Sequence, residues 1–98
     1  MRRTEVIEKL ILQRDALRAL GAKSLFLYGS HARDVAGAAS DIDVFIDRDP
    51  QAKFGFMELT GMVQMLEDLF GTKIDLVTRT GLHPHLRPEI ERSAIQVF

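Results

Sequence analysis

Cysteine and tryptophan are absent from this 98-residue chain, and tyrosine occurs once. Without cysteine there is no disulfide framework and no thiolate nucleophile or metal ligand. An excess of either charge is missing too. Thirteen Lys and Arg against fourteen Asp and Glu leave a formal net charge of −1. Such a chain has no overall field to draw nucleic acid or an anionic membrane. No apolar run approaches the roughly 18 residues of a transmembrane helix. The opening MRRTEVIEKL lacks the apolar core of a signal peptide. The expected location is the cytoplasm, with no membrane contact and no direct nucleic-acid binding.

Hydrophobic residues make up 46% of the chain, which excludes disorder and fits a globular protein. Residues 1–98 read as a single small domain, able to bury roughly 60–65% of its unfolded surface. There is no internal repeat and no linker. A domain this small, with no lid, must find some of its substrate contacts elsewhere, which points to a partner; homo-oligomer formation stays open.

The elements alternate in type. Thr4 to Leu20 carries Val6, Leu10, Leu17 and Leu20 on one stripe, which predicts a helix capped by Thr4 and ended by Gly21. Ser24 to Tyr28 is a short apolar run before Gly29, a buried strand. Ser30 to Arg33 reads as one helical turn, and Asp34 to Ser40 as a loop of small residues. Asp41 to Asp47 alternates with period two, Ile42, Val44 and Ile46 against Asp41, Asp43, Phe45 and Asp47. Phe54 to Phe70 predicts a second long helix with an unusually wide apolar stripe, stopped by Gly71. Lys73 to Thr78 predicts a third strand and Leu86 to Ala94 a last helix. The fold class is α/β, in the order αβ(α)βαβα, with a small three-stranded mixed sheet packed with helices. Asp47, Arg48 and Asp49 read as a solvated strand end.

The chemistry sits in one constellation: Gly29-Ser30, ten residues, then Asp41-Ile42-Asp43. Gly29 lets the backbone turn off its strand and approach a phosphate with no Cβ in the way. Ser30 opens a helical turn whose hydroxyl and N–H groups suit the β- and γ-phosphates of a triphosphate. Asp41 and Asp43, two apart on a strand, project from one face. Their carboxylates repel each other and would repel a triphosphate. Hard divalent cations resolve both conflicts, since Mg²⁺ shares oxygen ligands between carboxylates and phosphates. Two such ions, typically about 3.5–4 Å apart, clamp the attacking and leaving oxygens of an in-line displacement. Asp75, inside the apolar run Ile74-Asp75-Leu76-Val77, is the natural third carboxylate. A Gly-Ser pair with two Asp at these offsets arises by chance in about one chain of this length per thousand.

The stretch LYGSHARDVAGAASDIDVFID resembles the signature of the DNA polymerase β-type nucleotidyltransferases, in particular the minimal nucleotidyltransferase (MNT) branch. The resemblance runs over nearly the whole chain, including KIDLVT and LRPEIERSAI. It implies the minimal nucleotidyltransferase fold, with Gly29, Ser30, Arg33 and Ser40 at the nucleotide, Asp41 and Asp43 on two Mg²⁺ ions, and Asp75 on one of them. It implies ATP as the substrate and a HEPN-domain toxin as partner, adenylylated on a tyrosine and so silenced, which makes the chain an antitoxin. Asp34 departs from the glycine the family commonly has after Ala-Arg, and it sets a negative charge near the phosphate site.

Plainer readings stand beside these. Asp75 could form a structural ion pair with Arg33 or Lys73, Arg33 could be a surface residue, and Ser30 could be only a helix cap. His83-Pro84-His85, with His31 the one other histidine, matches no zinc spacing. Two rival functions remain: a non-catalytic antitoxin that neutralises its partner by binding, and a small-molecule nucleotidyltransferase.

Overall fold

The computed structural model describes residues 1–37 and 40–98. Its elements are α1 (Arg3–Leu12), α2 (Arg14–Ala19), β1 (Ala22–Tyr28), α3 (Gly29–Ala32), β2 (Ile42–Arg48), α4 (Phe56–Phe70), β3 (Ile74–Thr78), a 3₁₀ turn (Arg79–Gly81), α5 (Arg87–Ser93) and β4 (Ile95–Gln96).

The sheet has four strands in the order β3-β2-β1-β4, one more than the sequence suggested. β4 is only two residues long, too short to show a period. It pairs antiparallel with Phe26 and Leu27. β1 and β2 are antiparallel, whereas β2 and β3 are parallel. A parallel pair needs a crossover, and α4 supplies it. That crossover sets Asp75 beside Asp43.

The expected first helix is two. At Gln13 (φ −95°, ψ 4°) the chain leaves helical geometry, and Gln13 N–H donates to Leu10 O, three residues back, at 3.0 Å. Thr4 lies inside α1, with Arg2 as its N-cap. α4 starts at Phe56 because Gly55 is extended (φ −154°, ψ −162°). It ends as expected at Gly71, which is left-handed (φ 67°).

One face of the sheet carries the main core. Val6 and Leu10 of α1, Leu17 of α2, and Met62 and Leu66 of α4 pack on Leu25, Leu27, Ile42, Val44, Ile46, Ile74 and Leu76. Each such side chain, fully buried, contributes about 1.5–3 kcal/mol. The period-two reading of β2 therefore holds. The opposite face carries Phe26, Tyr28, Asp43, Phe45, Asp47, Asp75 and Val77. Phe45 is fully buried there, outside the main core. Its ring stacks on Phe26 at 4.6 Å between centroids, and the Arg79 guanidinium covers both, 4.8 Å from Phe26 and 5.0 Å from Phe45.

Arg79 is anchored in turn. Its Nε and Nη2 donate to the two Asp47 carboxylate oxygens at 2.7 and 2.9 Å, and its Nη1 donates to Glu91 of α5 at 2.7 Å. Asp47 is thus no solvated strand end. It locks the 3₁₀ turn and α5 over the far end of this face. Among the described residues, no helix is long and apolar enough to cross a membrane.

Candidate active site

The near end of the same face holds the predicted constellation. Tyr28, Asp43 and Asp75 are register partners across β1, β2 and β3, so the three side chains form one row. Asp41 lies just before β2 and is exposed. Asp75 is exposed too, and among the described residues it has no ion-pair partner. The ion pair with Arg33 or Lys73 does not form. An exposed carboxylate at the open end of the sheet needs no partner, because water solvates it.

The row is electrostatically strained. Burial raises the Asp43 pKa above the ordinary carboxylate value, and the charges of Asp75 and then Asp41 raise it further. His31 and Arg33 offset this only in part. Burial, then Asp75, then Asp43, also push the Tyr28 phenol up to about 12, so it stays a neutral donor at physiological pH. Tyr28 packs on Phe45 at 5.8 Å between ring centroids. Among the described residues, no three His, Asp or Glu side chains stand close enough to hold one metal ion as placed.

Gly29 is required here for two reasons. Its φ is +74°, a conformation other residues rarely adopt. A Cβ at this position would fall on Asp43 Oδ2 and lie 3.2 Å from Asp43 Cγ. The turn and the carboxylate are thus packed directly against each other. Ser30, half-buried, follows in the first turn of α3, and Arg33 caps that helix at its C-terminal end with its side chain exposed. Ser40 Oγ accepts from the Gly37 N–H at 3.0 Å, and its own N–H donates to Gly37 O at 3.1 Å.

Asp34 has φ 59°, the left-handed conformation that the family's glycine would supply. Its carboxylate accepts from the Arg3 N–H at 2.9 Å, at the start of α1. Arg3 Nη1 donates to Ala32 O at 3.2 Å. The negative charge is thus directed at a helix N-terminus, where the helix dipole favours it. The sequence reading missed this tie, and it missed His31 as well. That ring is 4% exposed, with Nδ1 3.1 Å from Asp41 O. The available signal was a histidine on a one-turn helix between two site residues. His83 and His85 remain exposed.

Residues 9–97 match the nucleotidyltransferase domain family. Among named relatives, "Putative protein adenylyltransferase MJ1379" of Methanocaldococcus jannaschii is 36% identical over 76% of this chain and 76% of its own length. A solved structure described as "Structure of putative minimal nucleotidyltransferase" is 29% identical, with a TM-score of 0.73, covering 97% of this chain and 95% of that one. A second, described as "Crystal structure of the toxin-antitoxin with AMP-PNP", shares the fold at 20% identity and a TM-score of 0.73, over 94% of this chain and 72% of that one. The match spans the Gly-Ser turn, the Asp-x-Asp strand and the third aspartate alike, and the chain belongs to the nucleotidyltransferase domain family.

Proposed function

We propose that this chain is a metal-dependent protein adenylyltransferase and an antitoxin. It transfers AMP from ATP to a tyrosine hydroxyl of a cognate HEPN-domain toxin and silences it. The observation that carries this is the Asp43–Asp75 row with Asp41 at its open end, packed against the Gly29-Ser30 turn. The relative named "Putative protein adenylyltransferase MJ1379" and the neighbour described as a toxin–antitoxin with AMP-PNP support the nucleotide and the partner.

By donor chemistry the carboxylates suit Mg²⁺, and since among the described residues no three of them converge on one ion as placed, substrate phosphate oxygens would complete its shell. Three carboxylates supply hard oxygen ligands, and their mutual repulsion is only partly offset by protein cations. Asp41 and Asp43 would hold two ions and Asp75 one of them. When bound, the ions neutralise phosphate charge and favour ionisation of the attacking hydroxyl. Gly29 and Ser30 bind the β- and γ-phosphates, Arg33 adds positive charge beside them, and Ser40 contributes to nucleotide binding next to Asp41. Asp75, the carboxylate furthest from the turn across the sheet, faces the acceptor and takes up its proton. The acceptor oxygen bonds to the α-phosphorus as the bond to pyrophosphate breaks.

The test is intact-mass spectrometry of the genomically neighbouring protein after incubation with this chain, Mg²⁺ and ATP. Mass gains in steps of one AMP, lost in Asp41→Asn with Asp43→Asn, are expected. No gain on a partner that nonetheless binds would favour the second reading, a purely binding antitoxin. Phe56 and Met57, at the start of α4 and 79% and 78% exposed, give that reading its surface.

A further inference from the structure

Among the described residues, His31 is the one buried polar side chain. Burying an imidazole is costly unless it is hydrogen-bonded, and an apolar residue would fill the same space without that cost. Its single hydrogen bond runs to the Asp41 carbonyl, ten residues ahead, at 3.1 Å. A carbonyl only accepts, so Nδ1 carries the proton and donates.

Asp41 needs such a bond. It precedes β2, whose ladder with β3 opens at the Ile42–Ile74 pair, with Ile42 N–H donating to Lys73 O at 3.1 Å. Asp41 therefore stands outside the sheet that holds Asp43 and Asp75. Its side chain is exposed, and the loop before it is long and rich in small residues. Asp43 is held by two neighbouring strands, whereas Asp41 is held by a ring from the turn that carries Gly29 and Ser30.

We infer that His31 is a positioning residue: its Nδ1–H fixes the Asp41 backbone and so couples the phosphate-binding turn to the metal-binding carboxylates. This rests on the metal reading of Asp41 and Asp43 proposed above. His31 touches neither phosphate nor metal in this role. It sets where the Asp41 carboxylate stands relative to that of Asp43, and a metal pair is sensitive to such placement.

Two amide substitutions separate the positions of the ring nitrogens. His31→Asn places an N–H donor near the Nδ1 position, and His31→Gln places one near Nε2. His31→Leu keeps the volume and removes both. The measurement is Mn²⁺ affinity in the presence of a non-hydrolysable ATP analogue, read by the electron paramagnetic resonance of free Mn²⁺, beside the thermal midpoint of each variant. His31→Gln and His31→Leu are expected to weaken Mn²⁺ binding about 10-fold or more, with His31→Asn within about 2-fold of the wild type. If His31→Leu does not fold, the Asn and Gln pair decides alone. Lower thermal midpoints with unchanged Mn²⁺ affinity in the folded variants would reduce His31 to a structural residue and overturn the inference. Rescue by Gln in place of Asn would overturn it too. Absence of Mn²⁺ binding in the wild type would instead overturn the metal reading itself, and the coupling with it.

Discussion

Asp43 and Asp75 face each other as register partners on the parallel strands β2 and β3, although 31 residues separate them in the chain. Burial, and then the charge of Asp75, raise the cost of ionising Asp43, which is half-buried while Asp75 is exposed. Under the proposed function, keeping such a pair sacrifices stability for a site that would bind cations. The two effects can be separated by measurement.

Asp43→Asn should lower the rate of AMP transfer by about 100-fold or more, the scale of several kcal/mol that metal-assisted charge stabilisation supplies. The same substitution should raise the thermal midpoint in metal-free buffer by a few degrees, because it removes a carboxylate repelled by Asp75 and Asp41. Calorimetry alongside a transfer assay checks both. A variant that lost stability and activity together would mean that Asp43 is structural.

Gly29→Ala combines a positive φ with a clash against Asp43. It should cost about 1–3 kcal/mol of stability. In an Asp43→Ala background the carboxylate is gone, and only the backbone term should remain. A denaturation double-mutant cycle should therefore give a coupling of at least about 0.5 kcal/mol. Additive costs would show that the contact relaxes without penalty.

Asp34 can be tested apart from the chemistry. Asp34→Asn keeps an acceptor and tolerates the left-handed backbone, so it should leave KM for the nucleotide within about 2-fold. Asp34→Gly keeps the backbone and loses the cap on α1. Asp34→Ala loses both and should unfold at the lowest temperature, since a lost cap alone costs about 1 kcal/mol. If Asp34→Asn tightened nucleotide binding strongly, the carboxylate would be acting on the phosphates after all.

The Arg79 lock carries a pH signature. Hydrogen bonds from Arg79 hold the Asp47 and Glu91 carboxyls below their ordinary range. A group with a depressed folded pKa contributes stability that is fully present above its unfolded value. That stability is lost as pH falls through the folded value. Arg79→Met should therefore lower the thermal midpoint by about 5 °C or more at pH 7. The gap to wild type should narrow progressively once the pH drops below about 4. Thermal scans from pH 7 to pH 2.5 would show it, and a gap independent of pH would mean that stacking on Phe26 and Phe45 matters more than the ion pairs.

Much was legible in the chain by itself, because it rests on local rules. Period two placed Ile42, Val44 and Ile46 on one face and Asp43 on the other. Apolar spacing marked α4, and Gly71 marked its end. The Gly-Ser and Asp-x-Asp spacing pointed to the family. These are properties of neighbours along the chain, set by backbone geometry and by the water-fearing face of each element. The tertiary structure decided what depends on residues far apart. The crossover through α4 set Asp75 beside Asp43. Pairing with Phe26 and Leu27 turned Ile95 and Gln96 into a fourth strand, though two residues have no period to read. Arg79, 32 residues beyond Asp47, turned an apparent strand end into an anchor. Asp34 reached back to the start of α1, and His31 forward to Asp41. Each of these is a polar contact whose partner is chosen by packing, and nothing in local spacing names it in advance.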